Sequence, residues 1–101
     1  MDYILEVHAS ANEELEQSFH WYEERGEGLG EKFLLQINDG LNRILRDPER
    51  YAVRKEGFRE LGIKKFPFVI VYQILADEGV IFITDFFHTK RNPALKYQRR
   101  R

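Results

Sequence analysis

The fold is decided by the stretch FPFVIVYQILADEGVIFITDFF, residues 66–87. Within it, Phe68–Leu75 is a nearly continuous apolar run, which predicts a strand that lies at the centre of a sheet or is buried on both faces. Asp77-Glu78-Gly79 is a turn signal, and Val80–Phe87 returns as a partner strand with Asp85 as its one charged residue. The stretch therefore predicts an antiparallel hairpin around which the rest of the chain is arranged.

The residues that precede this hairpin predict a first strand and two helices. Tyr3–His8 alternates apolar and polar residues, as a half-buried strand does. A helix is expected from Ser10, which begins a capping-box pattern, to about Gly26. A second helix ends at Asp47-Pro48, because the residue before proline is driven out of the helical region. Its apolar stripe is formed by Phe33, Ile37, Leu41 and Ile44. Gly40 inside this helix is interpreted as a close approach to the first helix.

A further strand is predicted at Phe58–Ile63, with Arg59, Leu61 and Ile63 on one face. After the hairpin, His88–Arg101 forms a polar and basic tail. The expected order is β-α-α-β-β-β, an α+β fold in which a helical hairpin packs on a small, largely antiparallel sheet. The whole chain, residues 1–101, is expected to be one domain.

Charge is divided between the two halves of the chain. Residues 1–50 hold twelve acids and five bases, a net charge of −7, while residues 51–101 hold five acids and eleven bases, a net charge of +6. The formal net charge of −1 therefore belongs to a dipolar protein. A basic side that also carries aromatic residues suits phosphate backbones or an acidic protein segment. Ordinary solvated surface is the alternative interpretation.

Composition excludes several classes of protein. The absence of cysteine rules out disulfides and thiolate metal sites and is typical of a reducing cytosol. His8, His20 and His88 are too far apart in sequence for a histidine metal motif, so neither a metal nor a cofactor is expected. The longest apolar run, Phe66–Tyr72, is too short to span a bilayer, and the first residues lack a basic signal region. We expect a cytoplasmic protein.

The remaining candidates for chemistry lie on the predicted sheet and tail. Cleavage of RNA without a metal requires charge stabilisation at the phosphate and an acid–base pair at the two oxygens. His88 is the residue at a strand end whose pKa suits acid–base work. The candidates for charge stabilisation are Arg59, Lys64, Lys65 and Arg91, and those for proton donation or base stacking are Tyr72 and Tyr97.

Each candidate also has a structural interpretation. Arg59 could pair with a nearby acid, Tyr72 could belong to the core, and His88 could close its strand by bonding to the tail. A different function is binding, in which a groove between the helical hairpin and the sheet, rimmed by bases, receives an acidic segment. Phe86 and Phe87 must face opposite sides of their strand, and the outward one would indicate an interface.

A set of motifs, in order along nearly the whole chain, resembles the RelE/ParE superfamily of toxins from bacterial type II toxin–antitoxin modules, often called plasmid stabilisation proteins. The motifs are Trp21-Tyr22-Glu23, Gly28-Leu29-Gly30-Glu31-Lys32-Phe33, Ile44 with Asp47-Pro48 and Tyr51, Arg59-Glu60-Leu61, Phe66-Pro67-Phe68-Val69-Ile70-Val71-Tyr72 and His88-Thr89-Lys90-Arg91-Asn92-Pro93. The resemblance implies the β-α-α-β-β-β fold and a growth-inhibiting toxin that forms a hetero-oligomer with an antitoxin encoded beside it.

The resemblance leaves two targets open. RelE-like members are ribosome-dependent mRNA endonucleases, and by position Arg59 and His88 match their strand arginine and strand-end histidine. ParE-like members are described as poisons of DNA gyrase, and for these the basic tail, Lys90–Arg101, is the expected contact. The low overall charge and the Trp-Tyr-Glu and Phe-Pro-Phe motifs favour the ParE-like branch. A member that binds antitoxin without toxicity is the third alternative.

Overall fold

The predicted hairpin lies at the centre of a five-stranded sheet in the computed structural model, which describes residues 2–101. The strands are β1 Ile4–Val7, β2 Val53–Lys55, β3 Phe58–Gly62, β4 Phe68–Leu75 and β5 Val80–His88, and the helices are α1 Ala9–Arg25 and α2 Leu29–Arg46. The strand order is β1-β5-β4-β3-β2, with β1 parallel to β5 and the other neighbours antiparallel. The α+β class and the order of the expected elements are confirmed.

The structure adds one strand to the expected elements and replaces one expected helix cap. β2 was not predicted, because it has only three residues, all of them exposed, and joins β3 through a tight turn in which Glu56 and Gly57 have φ of 53° and 83°. The capping box at Ser10 does not form. Instead α1 begins at Ala9, and the Nδ1 atom of His8 accepts a hydrogen bond from Ser10 N at 3.1 Å. Side-chain caps other than the common hydroxyls are difficult to read from sequence.

The helical hairpin is fixed by Glu23 and by a glycine contact. The Glu23 carboxylate accepts hydrogen bonds from Gly28 N at 2.9 Å and Gly30 N at 3.0 Å, and so satisfies amides at the start of α2. A Cβ at Gly30 would lie 2.7 Å from the backbone oxygen of Phe19, so the two helices approach most closely here. Gly40 faces the sheet instead, where a Cβ would lie 2.7 Å from Ile70 Cδ1. The expected contact of Gly40 with the first helix was wrong.

The two faces of the sheet are packed differently. The helix face, on which α1 and α2 lie, carries the large core, and its aromatic part joins Tyr22, Phe33, Phe66 and Phe68 with ring centroids 4.9–6.4 Å apart. The tail face, on the opposite side, carries a small cluster of Phe58, Val71 and Phe87. Residues 89–101 cross this cluster, and the Tyr97 ring stacks on Phe58 at 5.4 Å.

Neither helix, within the part of the chain that the structure describes, is long and apolar enough to cross a membrane. The sheet instead organises the functional surface. β4 begins and β5 ends at the same end of the sheet, where Phe68 pairs with His88. α1 passes over this end, and the space between them is the candidate site.

Candidate docking groove and basic rim

A groove of about 480 Å³ lies between α1 and the end of the sheet at which β4 begins and β5 ends. The α1 side is formed by Glu14, Gln17, Ser18, Trp21 and Tyr22, and the sheet side by Pro67, Phe68, Phe86, His88 and Arg91. Half of the Trp21 surface (51%) stays exposed, although the ring also stacks on the Arg25 guanidinium at 3.5 Å. An apolar floor with charged groups at one rim is typical of a surface that docks another molecule.

Four charged side chains form an ion cluster at the rim of the groove: Glu14, Asp85, Arg91 and Arg99. Arg91 Nη1 donates to Asp85 Oδ1 at 3.1 Å and to Glu14 Oε2 at 3.4 Å. Arg99 reaches the same two acids, lying 3.4 Å from Asp85 Oδ1 and in close contact with Glu14. Burial raises the pKa of the Asp85 carboxyl, while Arg91 acts in the opposite direction. Burial also lowers the pKa of Arg99.

His88 lies on the sheet side of the groove. Its ring meets Phe68 edge to face at 5.0 Å, and its Nδ1 accepts a hydrogen bond from Lys90 N at 3.0 Å. These contacts agree with the structural interpretation, in which His88 closes its strand by bonding to the tail.

Three exposed lysines lie near the groove in sequence and topology, outside the residues that line it, and are called the basic rim: Lys64, Lys65 and Lys90. Lys64 and Lys65 occupy the turn between β3 and β4, and Thr89 N donates to Pro67 O at 2.9 Å, which brings the start of the tail next to that turn. All three lysines are exposed, and none forms an ion pair with another residue in 2–101. Lys65 has a φ of 69°, a left-handed conformation that is unfavourable for a lysine.

Arg59 and Tyr72 lie at a different place on the sheet. Arg59 Nη1 donates to Tyr51 O at 2.6 Å and to Glu49 O at 3.1 Å, so none of the expected acid partners binds it. Tyr72 is fully buried, and its hydroxyl donates to Pro48 O at 2.6 Å. Burial raises the pKa of Tyr72 to about 12. Both side chains hold the segment that follows α2.

The structure does not bring Arg59 together with His88. Arg59 of β3 pairs with Tyr72 of β4, and His88 of β5 pairs with Phe68 of β4. The two residues are therefore four residues apart along the direction of β4 and two strand spacings apart across the sheet. Strand geometry then separates the two Cα atoms by roughly 16 Å. The Arg59 guanidinium is bound to the carbonyls of Glu49 and Tyr51, so it would have to break these hydrogen bonds to share a phosphodiester with His88.

Most of the basic tail is bound to the body of the protein. Lys96 lies 3.4 Å from Glu60, Arg100 lies 2.7 Å from Glu56, and Arg101 binds both Glu6 and Glu78. The Tyr97 hydroxyl donates to Glu60 Oε2 at 2.5 Å, and burial together with this carboxylate raises the pKa of Tyr97 to about 12. The tail therefore presents much less free positive charge than its sequence indicates.

Sequence reasoning missed the acidic partners at the groove. Glu14 has no special neighbour in the chain, and its role appears only when α1 is placed beside β5. Phe86 and Phe87 face opposite sides of β5, as expected, but neither indicates an interface, because Arg91 and Lys96 cover the Phe87 ring at 4.6 and 5.4 Å. Phe87 is only 1% exposed. Trp21, on one face of α1 with Ser18 and Glu14, is the exposed aromatic residue instead.

Comparison with known proteins identifies relatives of the sequence. Residues 5–93 match a family model described as ParE toxin of type II toxin–antitoxin system, parDE. A search of curated proteins found no significant match.

Two solved structures share the fold. A chain of the chromosomal ParDE toxin–antitoxin system from P. aeruginosa superposes with a TM-score of 0.74 at 17% identity, over 87% of this chain and 97% of that one. A mutant of the E. coli toxin RelE in the free state superposes with a TM-score of 0.55 at 21% identity, over 82% of this chain and 79% of that one. At these identities the likeness establishes the fold alone.

Proposed function

The chain belongs to the family of ParE toxins of type II toxin–antitoxin systems, and we propose that it inhibits growth by acting on DNA gyrase and is neutralised by a cognate antitoxin. The observation that carries this proposal is the groove beside α1, an apolar surface with an exposed tryptophan in its lining and exposed lysines nearby. Such a surface suits a protein partner, because buried aromatic residues supply most of the energy of protein interfaces.

The arrangement of the candidate catalytic residues supports a toxin that binds a protein. Metal-independent RNA cleavage needs an acid, a base and a cation within reach of one phosphate. Arg59, whose Cα lies roughly 16 Å from that of His88 by strand geometry, is bound to two backbone carbonyls. The Tyr72 and Tyr97 hydroxyls already donate to Pro48 O and Glu60. Arg59 and Tyr72 lie together but away from His88, and Tyr97 packs on the tail face, which supports gyrase over messenger RNA as the target.

In this proposal the gyrase contact is made by the basic rim, Lys64, Lys65 and Lys90, together with the groove. The earlier expectation assigned the contact to the tail, but Lys96, Arg100 and Arg101 are paired with acids of the body. Gyrase acts on DNA and holds a polyanion, so exposed lysines at the rim would also favour the complex with DNA. An antitoxin that covers the groove and the rim would exclude gyrase directly.

The experiment is an assay of gyrase with the purified chain. We expect loss of supercoiling and accumulation of cleaved DNA, with no cutting of messenger RNA in a translating extract. Replacing Lys64 and Lys90 with alanine should weaken the inhibition by about tenfold, because rim charges mainly affect association. The matched control is Lys32→Ala, an exposed lysine on α2.

Two results would overturn the proposal. One is unchanged gyrase activity with messenger RNA cut at the ribosome, which is the RelE-like alternative. The other is an equal loss of inhibition in the rim variant and in Lys32→Ala, which would show that the basic rim makes no specific contact with gyrase.

A further inference from the structure

Three arginines line a small pocket, here called the arginine pocket, at the point where α2 ends. The pocket has a volume of about 200 Å³, and its lining consists of Arg43, Arg46, Asp47, Arg50 and Tyr51. None of these residues lines the docking groove. Residues 1–50 contain twelve acids and only five bases, and three of those five bases meet in this pocket. This concentration of positive charge in the acidic half of the chain indicates a site for an anion.

The guanidinium groups of the pocket are available to a ligand. Arg46 and Arg50 are exposed, and within residues 2–101 neither side chain forms an ion pair. Arg43 Nη1 lies 3.7 Å from Asp39 Oδ2, which is longer than a hydrogen bond. The alternative interpretation is that Arg43 and Arg46 only complement the negative end of the α2 dipole. It does not account for Arg50, which lies beyond α2 in the short 3₁₀ turn Pro48–Arg50.

Side chains of the sheet hold the wall of the pocket that lies beyond α2. Arg59 of β3 donates to the backbone oxygens of Tyr51 at 2.6 Å and Glu49 at 3.1 Å. The buried Tyr72 of β4 donates to the backbone oxygen of Pro48 at 2.6 Å. Two residues of the family motifs therefore fix the segment that carries one arginine and the tyrosine of the pocket. A site whose backbone is fixed in advance loses less conformational freedom when a ligand binds.

The lining of the pocket suits a phosphate group. A guanidinium group offers paired N–H donors that match two oxygens of a phosphate. The dipole of α2 and the Asp47 carboxylate both oppose an anion, and three guanidinium groups together outweigh them. A volume of about 200 Å³ is below the roughly 300–1,000 Å³ of sites that enclose a whole ligand, so the pocket holds one group of a larger molecule. The half-buried Tyr51 ring offers a surface on which an adjacent base can stack.

We propose that the arginine pocket binds a phosphate group of a nucleotide, with Arg43, Arg46 and Arg50 on the phosphate oxygens and the Tyr51 ring beside the base. A nucleic acid strand carries the same phosphate chemistry, but the pocket belongs to the half of the chain whose net charge is −7, which repels a long polyanion. A free nucleotide is therefore the expected source of the phosphate. The site is separate from the docking groove, and the inference depends on neither the gyrase target nor the antitoxin.

The test is an NMR titration of the isotope-labelled chain with inorganic phosphate, ATP and a single-stranded oligonucleotide, at about 0.1 M salt, where the screening length is about 10 Å. We expect ATP to bind with a Kd below about 1 mM and to shift the amide signals of residues 43–51, while that of Trp21 in the docking groove stays unchanged. Tighter binding of the oligonucleotide at the same amides would confirm the phosphate site and assign its phosphate to a nucleic acid strand. Absence of binding by both ATP and the oligonucleotide, or shifts spread over the whole surface, would overturn the proposal.

Two double variants with the same change in net charge separate the pocket from the overall charge. Arg46→Gln with Arg50→Gln removes two guanidinium groups of the pocket and should raise the Kd for ATP about tenfold or more, because charge-assisted hydrogen bonds to phosphate are lost. The control is Arg25→Gln with Lys32→Gln, at the opposite end of α2 and about 20 Å from Arg46 along the helix, and should change the Kd less than about twofold. Equal effects would overturn the proposal. All four side chains are exposed, and circular dichroism of each variant confirms that it is folded.

Discussion

The two faces of the sheet are stabilised by different forces. The helix face buries a continuous set of apolar side chains, among them Phe33, Ile37 and Ile44, which are at most 1% exposed. On the tail face, only Phe58, Val71 and Phe87 form a core, and a chain of ion pairs holds residues 89–101 over them. Burial of apolar area is insensitive to salt, whereas ion pairs near the surface are weak and screened.

This difference indicates which face of the sheet can exchange its contacts within the chain for contacts with another molecule. Beyond the ion cluster, the tail is held by partly exposed ion pairs such as Lys96 with Glu60 and Arg100 with Glu56, and exposed pairs are worth only about 0.2–1 kcal/mol each, so this part can be released stepwise. The helices cannot leave the sheet without exposing the core. The docking groove lies between α1, which belongs to the helix face, and the ion cluster, which holds the tail. We therefore expect partners to act on the tail side of this boundary, with the helix face as a rigid support.

The largest expected difference concerns aromatic residues of the two faces. Phe33→Ala removes a fully buried ring and should lower the free energy of unfolding by about 3–5 kcal/mol. Tyr97→Ala removes a half-buried ring that stacks on Phe58, and should cost about 1–2 kcal/mol. Urea denaturation of both variants measures the difference. Equal losses would show that the tail is as firmly packed as the helices.

A smaller effect concerns the salt dependence of the tail. Deleting residues 99–101 removes the contacts of Arg99, Arg100 and Arg101 with five acids. At low salt the deletion should cost about 1–3 kcal/mol, and the cost should shrink in 1 M NaCl, where the screening length is about 3 Å. The matched comparison is Phe33→Ala, whose cost should not shrink. A deletion cost that is independent of salt would contradict the account of the tail face.

The contrast between the faces also explains what the sequence could predict. The helix face follows from local rules: apolar spacing in α2, the proline after Asp47 and the apolar run of β4 each specify their own element. Glu23 and Tyr22, which carried the family resemblance, proved architectural, since Glu23 caps α2 and Tyr22 packs on Phe33. The order of the elements was therefore predictable except for the short strand β2.

The candidate site was predictable only in part. Lys64, Lys65, His88, Lys90 and Arg91 were predicted, and the structure gathers them at one end of the sheet. Their relation to Arg59, Tyr72 and Tyr97 could not be predicted, because register decides which end of a strand a residue occupies. The acidic partners of the tail are the clearest omission. Each pair joins residues distant in sequence, such as Glu14 with Arg99, and no local pattern marks such pairs.

The pH dependence of the ion cluster gives a subtler test of the tail face. The pKa of Asp85 is raised in the folded chain, so folding favours its protonated form. As the pH falls from 7 through this raised pKa, the wild type should gain stability relative to Asp85→Asn. The gain should level off below the pKa that the Asp85 carboxyl has in the unfolded chain. The two proteins share all other ionisable groups, so their difference reports on Asp85 and on its coupling to Glu14, Arg91 and Arg99. A difference that is constant from pH 7 to pH 4 would show that the carboxyl is not perturbed.

The smallest expected effect lies at the basic rim. Lys65 has a φ of 69°, which glycine adopts without penalty, so Lys65→Gly should raise the free energy of unfolding by about 0.5–1 kcal/mol. Lys64→Gly, in the same turn, is the control and should give no gain. If the gain is found together with weaker gyrase inhibition, the strained lysine serves the target contact and not the fold. Lower stability in Lys65→Gly would contradict the conformational account.

The central claim, a toxin that acts through a docking surface and not through RNA chemistry, is tested most directly by pulse-labelling of DNA and protein synthesis in a bacterial host after this chain alone is induced. The account predicts that DNA synthesis falls first, with a DNA-damage response, while protein synthesis continues through the first minutes. Early loss of protein synthesis with DNA synthesis intact would contradict it and would make the ribosome the target.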